Sequence, residues 1–378
     1  KKRDYTLEIA LEELNECVCS SNPIEDETNY NELVNILNLF LSELEYNKRK
    51  IFIERYWYLY SIKDISVINK LSENNVKIIL LRLRNKLKNY LKNSSLNDSG
   101  KIFICVCLII CITINFLKVN SFGKDLDLKS KSAVLIDGNT GRILYGKNEN
   151  EKMPMASTTK IMTCIVALES GKMNQIIKVS SKAASMPKVK MYAKKGEQYY
   201  LKDLLYAMML ESFNDAAMIV AEGIGGSQEK FAKMMNKEAK KLMATGTHFV
   251  NSNGLHNDDH YTTAYDLYLI FNECIKNDDF DKIIKSKSHT AKVTGSSGAV
   301  RSITWEPTNF YATGEAEKPD NVTVIGGKTG TTKLAGNCLV LLTEDENNHP
   351  YISIVMNADT KPLLYKDMTA IVEAIPEK

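Results

Sequence analysis

The chain carries little net charge, +3 over 378 residues. It has no Cys-x-x-Cys pair, no internal repeat and no apolar run as long as a comfortable membrane span. Its five histidines are scattered, so neither a zinc cluster nor a redox dithiol is legible, and no metal or cofactor is implied. The eight cysteines make no disulfide framework. Cys17 and Cys19 lie near the start, and Cys105, Cys107 and Cys111 sit in an apolar run. Only Cys164, Cys274 and Cys338 fall in the large C-terminal part, and three cannot all pair. They read as buried, inert thiols.

What is present is ordinary globular material, 44% hydrophobic and 25% charged, in a length that suits two or three domains. The small net charge hides an uneven distribution. Residues 1–45 carry 3 Lys/Arg against 11 Asp/Glu, and residues 46–101 carry 13 against 4. An acidic block followed by a basic one suggests that the second meets an anionic partner. A solvated helical surface is the plain alternative.

Ile102 to Leu117 is an uncharged run of 16 residues between Lys101 and Lys118. It is slightly short for a spanning helix, which needs about 17–25 residues, and it suits the apolar core of a secretory signal. Four parts follow: a helical region at 1–93, a polar linker at 94–101, a signal-like or membrane-anchoring helix at 102–119, and one large domain at 130–378. The basic block before the run favours residues 1–100 on the cytoplasmic side and residues from about 120 onward outside.

Within the large domain, three short motifs occur in order. They are Ser157-Thr158-Thr159-Lys160, Ser212-Phe213-Asn214 and Lys328-Thr329-Gly330. The pattern S-x-x-K, S-x-N, K-T-G belongs to penicillin-recognising serine enzymes. Each match alone is weak, but the ordered triple names a nucleophile, a base and an anion site. Ser157 opens an apolar-periodic helix, and Lys160 is one turn on, where its amine reaches the hydroxyl. A buried lysine loses its proton readily and can act as general base. The second motif reads as a turn between helices at 203–209 and 216–222. Strands are expected at 132–136 and 142–145, joined through Asp137–Gly141, and at 322–325, 338–343 and 351–357. Lys328–Thr331 continues the 322–325 strand at a sheet edge, and a terminal helix covers 363–375. Strands, then helices, then strands describe a sheet with helices on its faces.

Supporting stretches include Asn214-Asp215-Ala216-Ala217, Asn253-Gly254-Leu255-His256 and His260-Tyr261-Thr262-Thr263-Ala264. With these, residues 130–376 resemble the low-molecular-weight penicillin-binding proteins, the serine-type D-alanyl-D-alanine carboxypeptidases. The resemblance implies an α/β (α+β) transpeptidase-like, β-lactamase-like fold with an antiparallel sheet. It also implies removal of the terminal D-alanine from peptidoglycan stem peptides, with β-lactams as covalent inhibitors. It makes Ser157 the acylated nucleophile, Lys160 its base and Ser212 a proton relay toward the leaving group. Asn214 positions the substrate amide. Lys328 and Thr331, beside Thr329 and Gly330, receive the terminal carboxylate, and the N–H groups of Ser157 and Thr331 form the oxyanion hole. Asp215 and His256 read as structural. Phe213 is bulky where the family has a small residue, and the Glu-x-x-Leu-Asn segment of class A β-lactamases is missing. An endopeptidase or a penicillin-binding sensor is the alternative; the oligomeric state is not legible.

The basic block reads as an all-α helix-turn-helix module. Ile65, Ile68 and Leu71 form one apolar face, and Val76, Ile79, Leu80, Leu83 and Leu87 another. Ser72–Asn75 forms the turn and cap between them. It resembles the DNA-reading C-terminal region of extracytoplasmic-function sigma-70 factors over about residues 46–92. That resemblance implies promoter DNA or RNA polymerase as partner. Lys77, Arg82, Arg84, Lys86 and Lys88 are then candidates for phosphate contact.

Overall fold

The computed structural model describes residues 40–41, 43–56, 62–93 and 126–375. The chain divides into two compact units, Lys1–Ser121 and Phe122–Lys378. The linker and the run Ile102–Leu117 lie outside the described residues. Among the described residues, no helix is long and apolar enough to cross a membrane.

The described residues of the first unit include the helices α1 (Tyr46–Tyr56), α2 (Ile62–Asn69) and α3 (Glu73–Asn93). Val76, Leu80, Leu83 and Leu87 recur every three to four residues along α3, so they share one face, and all four are buried. Ile65 is buried too, but Ile68 is 46% exposed, against expectation. The connection from α2 to α3 closes without glycine. Lys70 takes the left-handed conformation at φ 54°, which costs a side-chain-bearing residue on the order of 1 kcal/mol. Lys70 N–H and Leu71 N–H donate to the Val67 and Ser66 carbonyls, which ends α2. Ser72 Oγ accepts the Asn75 N–H at 3.2 Å and caps α3, as expected.

The second unit opens with a hairpin, β1 (Ser132–Asp137) and β2 (Ile143–Lys147). Asp137 Oδ1 accepts the N–H groups of Asn139 and Thr140 and shapes the turn between them. The chain leaves the sheet and returns as β7 (Thr323–Thr332), β8 (Gly336–Glu344) and β9 (Pro350–Ala358). The five strands lie in the order β2-β1-β9-β8-β7, all antiparallel. β7 is therefore an edge strand, as its sequence suggested. The closing helix α12 (Lys361–Val372) packs Leu364, Met368, Ile371 and Val372 against Ala133, Leu135, Leu339, Leu341 and Val355. The alternate residues Val134, Ile136, Val340 and Ile354 are buried as well, so the sheet is covered on both faces. Helix α9 (Ala264–Cys274) packs against β1, β8 and β9 from the helical side.

At the centre of that side is α4 (Thr159–Glu169). Every residue from Thr159 to Leu168 is buried, as expected of a helix apolar on most of its circumference. It packs against α6 (Leu201–Leu210), α7 (Asn214–Gly225), α8 (Gln228–Lys241), α9 and α10 (Asp278–Lys285). Cys164 and Cys274 are buried free thiols in this core, and Cys338 is another in β8. A second antiparallel sheet has the order β3 (Ile176–Lys178), β4 (Gln198–Tyr200), β5 (His289–Thr294) and β6 (Val300–Trp305). It was not anticipated. Two of its strands are only three residues long, too short for alternation to register.

Candidate active site

Ser157 lies in a single 3₁₀ turn, Ala156–Thr158, that feeds into α4. Ala156 has φ 48°, an uncommon conformation for a residue with a side chain, directly before Ser157. The tight turn leaves Ser157 half-buried and open to a ligand, while Lys160 on the first turn of α4 is completely buried. Lys160 Nζ lies 2.8 Å from Ser157 Oγ, 2.9 Å from Asn214 Oδ1 and 2.6 Å from the Asn253 carbonyl oxygen. Two of these neighbours are pure acceptors, and the third is a hydroxyl that can donate. A neutral amine has two N–H groups and one lone pair. It therefore satisfies both carbonyl oxygens and still presents its lone pair to the serine proton. Burial, then the nearby Lys328 charge, hold the Lys160 amine well below its ordinary range, with Asp215 opposing. Burial thus favours the neutral form of Lys160, whose lone pair would lie 2.8 Å from Ser157 Oγ, in place to take its proton.

Asn214 is the first residue of α7, and its amide is fixed at both ends. Its Nδ2 donates to the Pro187 and Lys188 carbonyls at 3.3 and 3.1 Å, which leaves Oδ1 for Lys160. Asp215 is buried and structural, as expected. Its carboxylate accepts the N–H groups of Met191 and Ala193 and ties down that same 187–193 loop.

The edge strand β7 passes alongside. A Cβ on Gly330 would sit 2.7 Å from Ser157 N and 2.9 Å from Thr158 N. Only glycine lets the strand backbone come that close to the Ser157 amide. Lys328 is buried, and its Nζ donates to the Thr329 carbonyl at 2.9 Å. Burial alone pulls its amine down to about 7.

The family described as D-alanyl-D-alanine carboxypeptidase matches residues 118–360, the span that holds all of these side chains. The chain belongs to that family. Among curated relatives of this carboxypeptidase family, it is 41% identical over 163 residues to D-alanyl-D-alanine carboxypeptidase DacF of Bacillus subtilis, covering 42% of each chain. It is 31% identical over 249 residues to a D-alanyl-D-alanine carboxypeptidase of Streptomyces sp. strain K15, covering 62% of this chain and 83% of the relative. Among solved structures, the Streptomyces K15 DD-transpeptidase superposes with a TM-score of 0.60 at 27% identity, over 65% of this chain and 97% of that one. The match thus spans less than half of the Bacillus relative and most of the Streptomyces one.

The remaining candidates are placed less uniformly. Ser212 stands in the turn before α7 with φ 65° and is half-buried. Its hydroxyl makes no hydrogen bond with the described residues, so it is uncommitted in the turn two residues before Asn214. Thr331 is turned away from its expected role, because its Oγ1 donates to Asn337 Oδ1 at 3.0 Å. Asn337 in turn donates to the Ala358 carbonyl. A hydroxyl spent this way cannot also donate to a substrate carboxylate. Thr329, half-buried and free of side-chain hydrogen bonds among the described residues, is the hydroxyl left beside Lys328. Phe213 is buried. His256 is exposed and pairs with Asp258.

Sequence reasoning gave no role to Asn253, Gly254 and His260, although it quoted all three within matching stretches. The Asn253-Gly254 pair carries a turn signal that could have flagged this wall. Gly254 has φ 86°, and a Cβ there would lie 1.9 Å from the Ala156 carbonyl oxygen. Among the described residues no three His, Cys, Asp or Glu side chains group to hold a metal ion. In the N-terminal unit, Lys77, Arg82 and Lys86 are exposed on α3 and Lys88 is half-buried. Arg84 departs from its expected role. It is half-buried and donates to Tyr56 Oη of α1 at 3.0 Å, so it serves helix packing.

Proposed function

We propose that the chain is a serine D-Ala-D-Ala carboxypeptidase acting on peptidoglycan stem peptides. The observation that carries this reading is the fully buried Lys160 at hydrogen-bond distance from Ser157 Oγ, with burial holding its amine well below its ordinary range. Ser157 Oγ attacks the carbonyl of the penultimate D-alanine while Lys160 takes its proton. Negative charge develops on the carbonyl oxygen, next to the N–H of Ser157 and with Thr331 N–H as second donor. Lys328, in its protonated form, and Thr329 receive the terminal carboxylate. D-Alanine leaves as an amine after protonation, with Ser212 as relay, and water then hydrolyses the ester at Ser157. A β-lactam acylates the same oxygen. Intact-mass analysis with a labelled penicillin should show one adduct, absent in Ser157→Ala. A peptide ending in D-Ala-D-Ala should release free D-alanine, unaffected by chelators. An adduct retained in Ser157→Ala would sink the assignment, and labelling without D-alanine release would favour a penicillin-binding sensor.

A second reading is endopeptidase action on cross-links, since relatives in Pseudomonas aeruginosa and Escherichia coli named D-alanyl-D-alanine endopeptidase are 28% and 29% identical. Cross-linked muropeptides as substrate distinguish the two. The substrate places residues from about 120 onward outside the cytoplasmic membrane, with Ile102–Leu117 as signal or anchor. Cysteine variants at Ser94 and Ser130, probed with an impermeant reagent in intact cells, test that orientation. For residues 1–93 the sigma-like reading rests on the α2–turn–α3 geometry and on the exposed Lys77, Arg82 and Lys86. The mass of the C-terminal product in cells tells whether that unit stays joined to the enzyme.

A further inference from the structure

The peptide joining Ala156 to Ser157 is planar, so its carbonyl and its N–H point in opposite directions and turn together. Whatever fixes the Ala156 carbonyl therefore aims the Ser157 N–H. That carbonyl belongs to a residue at φ 48°, which does not hold its direction at low cost by itself. Its oxygen accepts the Thr159 backbone N–H within the 3₁₀ turn, and it is gripped a second time by the side chain, because Thr159 Oγ1 lies 2.8 Å from Ala156 O. Thr159 Oγ1 also lies 2.8 Å from His260 Nε2. Val250 N–H donates to His260 Nδ1 at 2.9 Å. A neutral ring that accepts at Nδ1 carries its proton on Nε2. The bond from His260 to Thr159 then has one direction, Nε2–H to Oγ1. The threonine proton is left to donate to Ala156 O. His260 is buried and its ring packs edge-on against Phe249, so it has little freedom to swing away.

We infer that His260 and Thr159 form a one-way hydrogen-bond relay that aims the Ser157 N–H as oxyanion donor, making both positioning residues for acylation. The inference rests on the carboxypeptidase reading of the site. Burial, with help from His248 and His256, lowers the His260 ring to about 4, which keeps it in the neutral form the relay needs at neutral pH.

Three variants of the full chain separate aim from packing. Thr159→Val keeps the shape and removes the hydroxyl. Thr159→Ser restores it. His260→Gln offers an acceptor and a donor at the tip of one amide. Thr159→Val should slow penicillin acylation of Ser157 by about tenfold or more, a part of the loss seen when an oxyanion donor is removed outright. It should weaken a peptide boronic acid, whose tetrahedral adduct occupies the oxyanion position, by a similar factor. The dissociation constant of the non-covalent penicillin complex should not change. Thr159→Ser and His260→Gln should recover most of both losses. Because the relay is serial, His260→Leu combined with Thr159→Val should lose no more than Thr159→Val alone. Wild-type acylation and boronate affinity in Thr159→Val, or additive losses in the double variant, would overturn the relay. The ¹H–¹⁵N resonance of the Ser157 amide reads its environment without any reaction. It should move in Thr159→Val and return in Thr159→Ser. An amide that does not move overturns the relay, and a wild-type chain that forms no adduct overturns the carboxypeptidase reading separately.

Discussion

Raising the pH should uncouple recognition of the substrate carboxylate from the chemistry at Ser157. Lys328 is completely enclosed, with the Thr329 carbonyl its one hydrogen-bond acceptor among the described residues, and burial brings its amine from 10.5 down to about 7. Above about 7 the protonated fraction of the free enzyme falls about tenfold per pH unit, so roughly one molecule in a hundred is charged at pH 9. Only that fraction can meet a carboxylate. The value of kcat/KM for a peptide ending in free D-alanine should therefore fall about tenfold per unit above about 7. The same peptide with a C-terminal carboxamide needs no cation, and its kcat/KM should stay nearly flat from pH 7 to 9. Burial holds Lys160 well below its ordinary range, and raising the pH can only favour its neutral form further, so its role as base is expected to persist. Lys328→Ala should reduce kcat/KM on the free acid by roughly 10–150-fold, the worth of a charge-assisted hydrogen bond of about 1.5–3 kcal/mol. It should also abolish the difference between the two pH profiles. Release of D-alanine and of D-alaninamide, followed by mass spectrometry from pH 6 to 9, is the assay. Parallel profiles, or a free-acid profile that stays level to pH 9, would show that the carboxylate is bound elsewhere.

Other outcomes follow from the same geometry. Lys160→Ala should block penicillin acylation while leaving the hydroxyl in place, because a serine hydroxyl at neutral pH is a poor nucleophile without a base; an acylation rate within a few-fold of wild type would remove Lys160 from that role. Between pH 10.5 and about 7 the unfolded chain binds a proton at Lys328 that the folded chain does not, so stability falls as pH drops through that window and levels off below it. Lys328→Met should accordingly raise the melting temperature at pH 7 and flatten its dependence on pH up to about 10; a lower melting temperature refutes the burial argument. Gly254→Ala puts a methyl group 1.9 Å from the Ala156 carbonyl oxygen at a backbone angle of φ 86°. It should cost at least about 1–3 kcal/mol in urea unfolding and slow acylation, and wild-type behaviour on both counts would mean the loop simply shifts.

Some of this was legible because the chemistry is local. Ser157 and Lys160 are one helical turn apart, so spacing alone brings the amine to the hydroxyl. Strand alternation and the return of three strands after the helices gave the five-stranded sheet and put Lys328–Thr331 at its edge, close to the boundaries seen at β7, β8 and β9. The family resemblance brought Asn214 into the set, and a hydrogen bond across 54 positions in the chain joins it to Lys160. What the sequence could not decide was where groups without a motif of their own would point. The Asn253 carbonyl that completes the Lys160 cage is a backbone atom, and no residue type announces it. Thr329 and Thr331 are chemically identical neighbours, and only the position of Asn337 across the β7–β8 turn spends one hydroxyl and spares the other. Arg84 looks like its exposed neighbours on α3 until the packing of α1 turns it inward. Residue types and spacing determined which groups this protein brings to an acyl-transfer centre. Burial lowered both amines from their ordinary range, because removing Lys160 and Lys328 from water happens only when the helices and the sheet close around them.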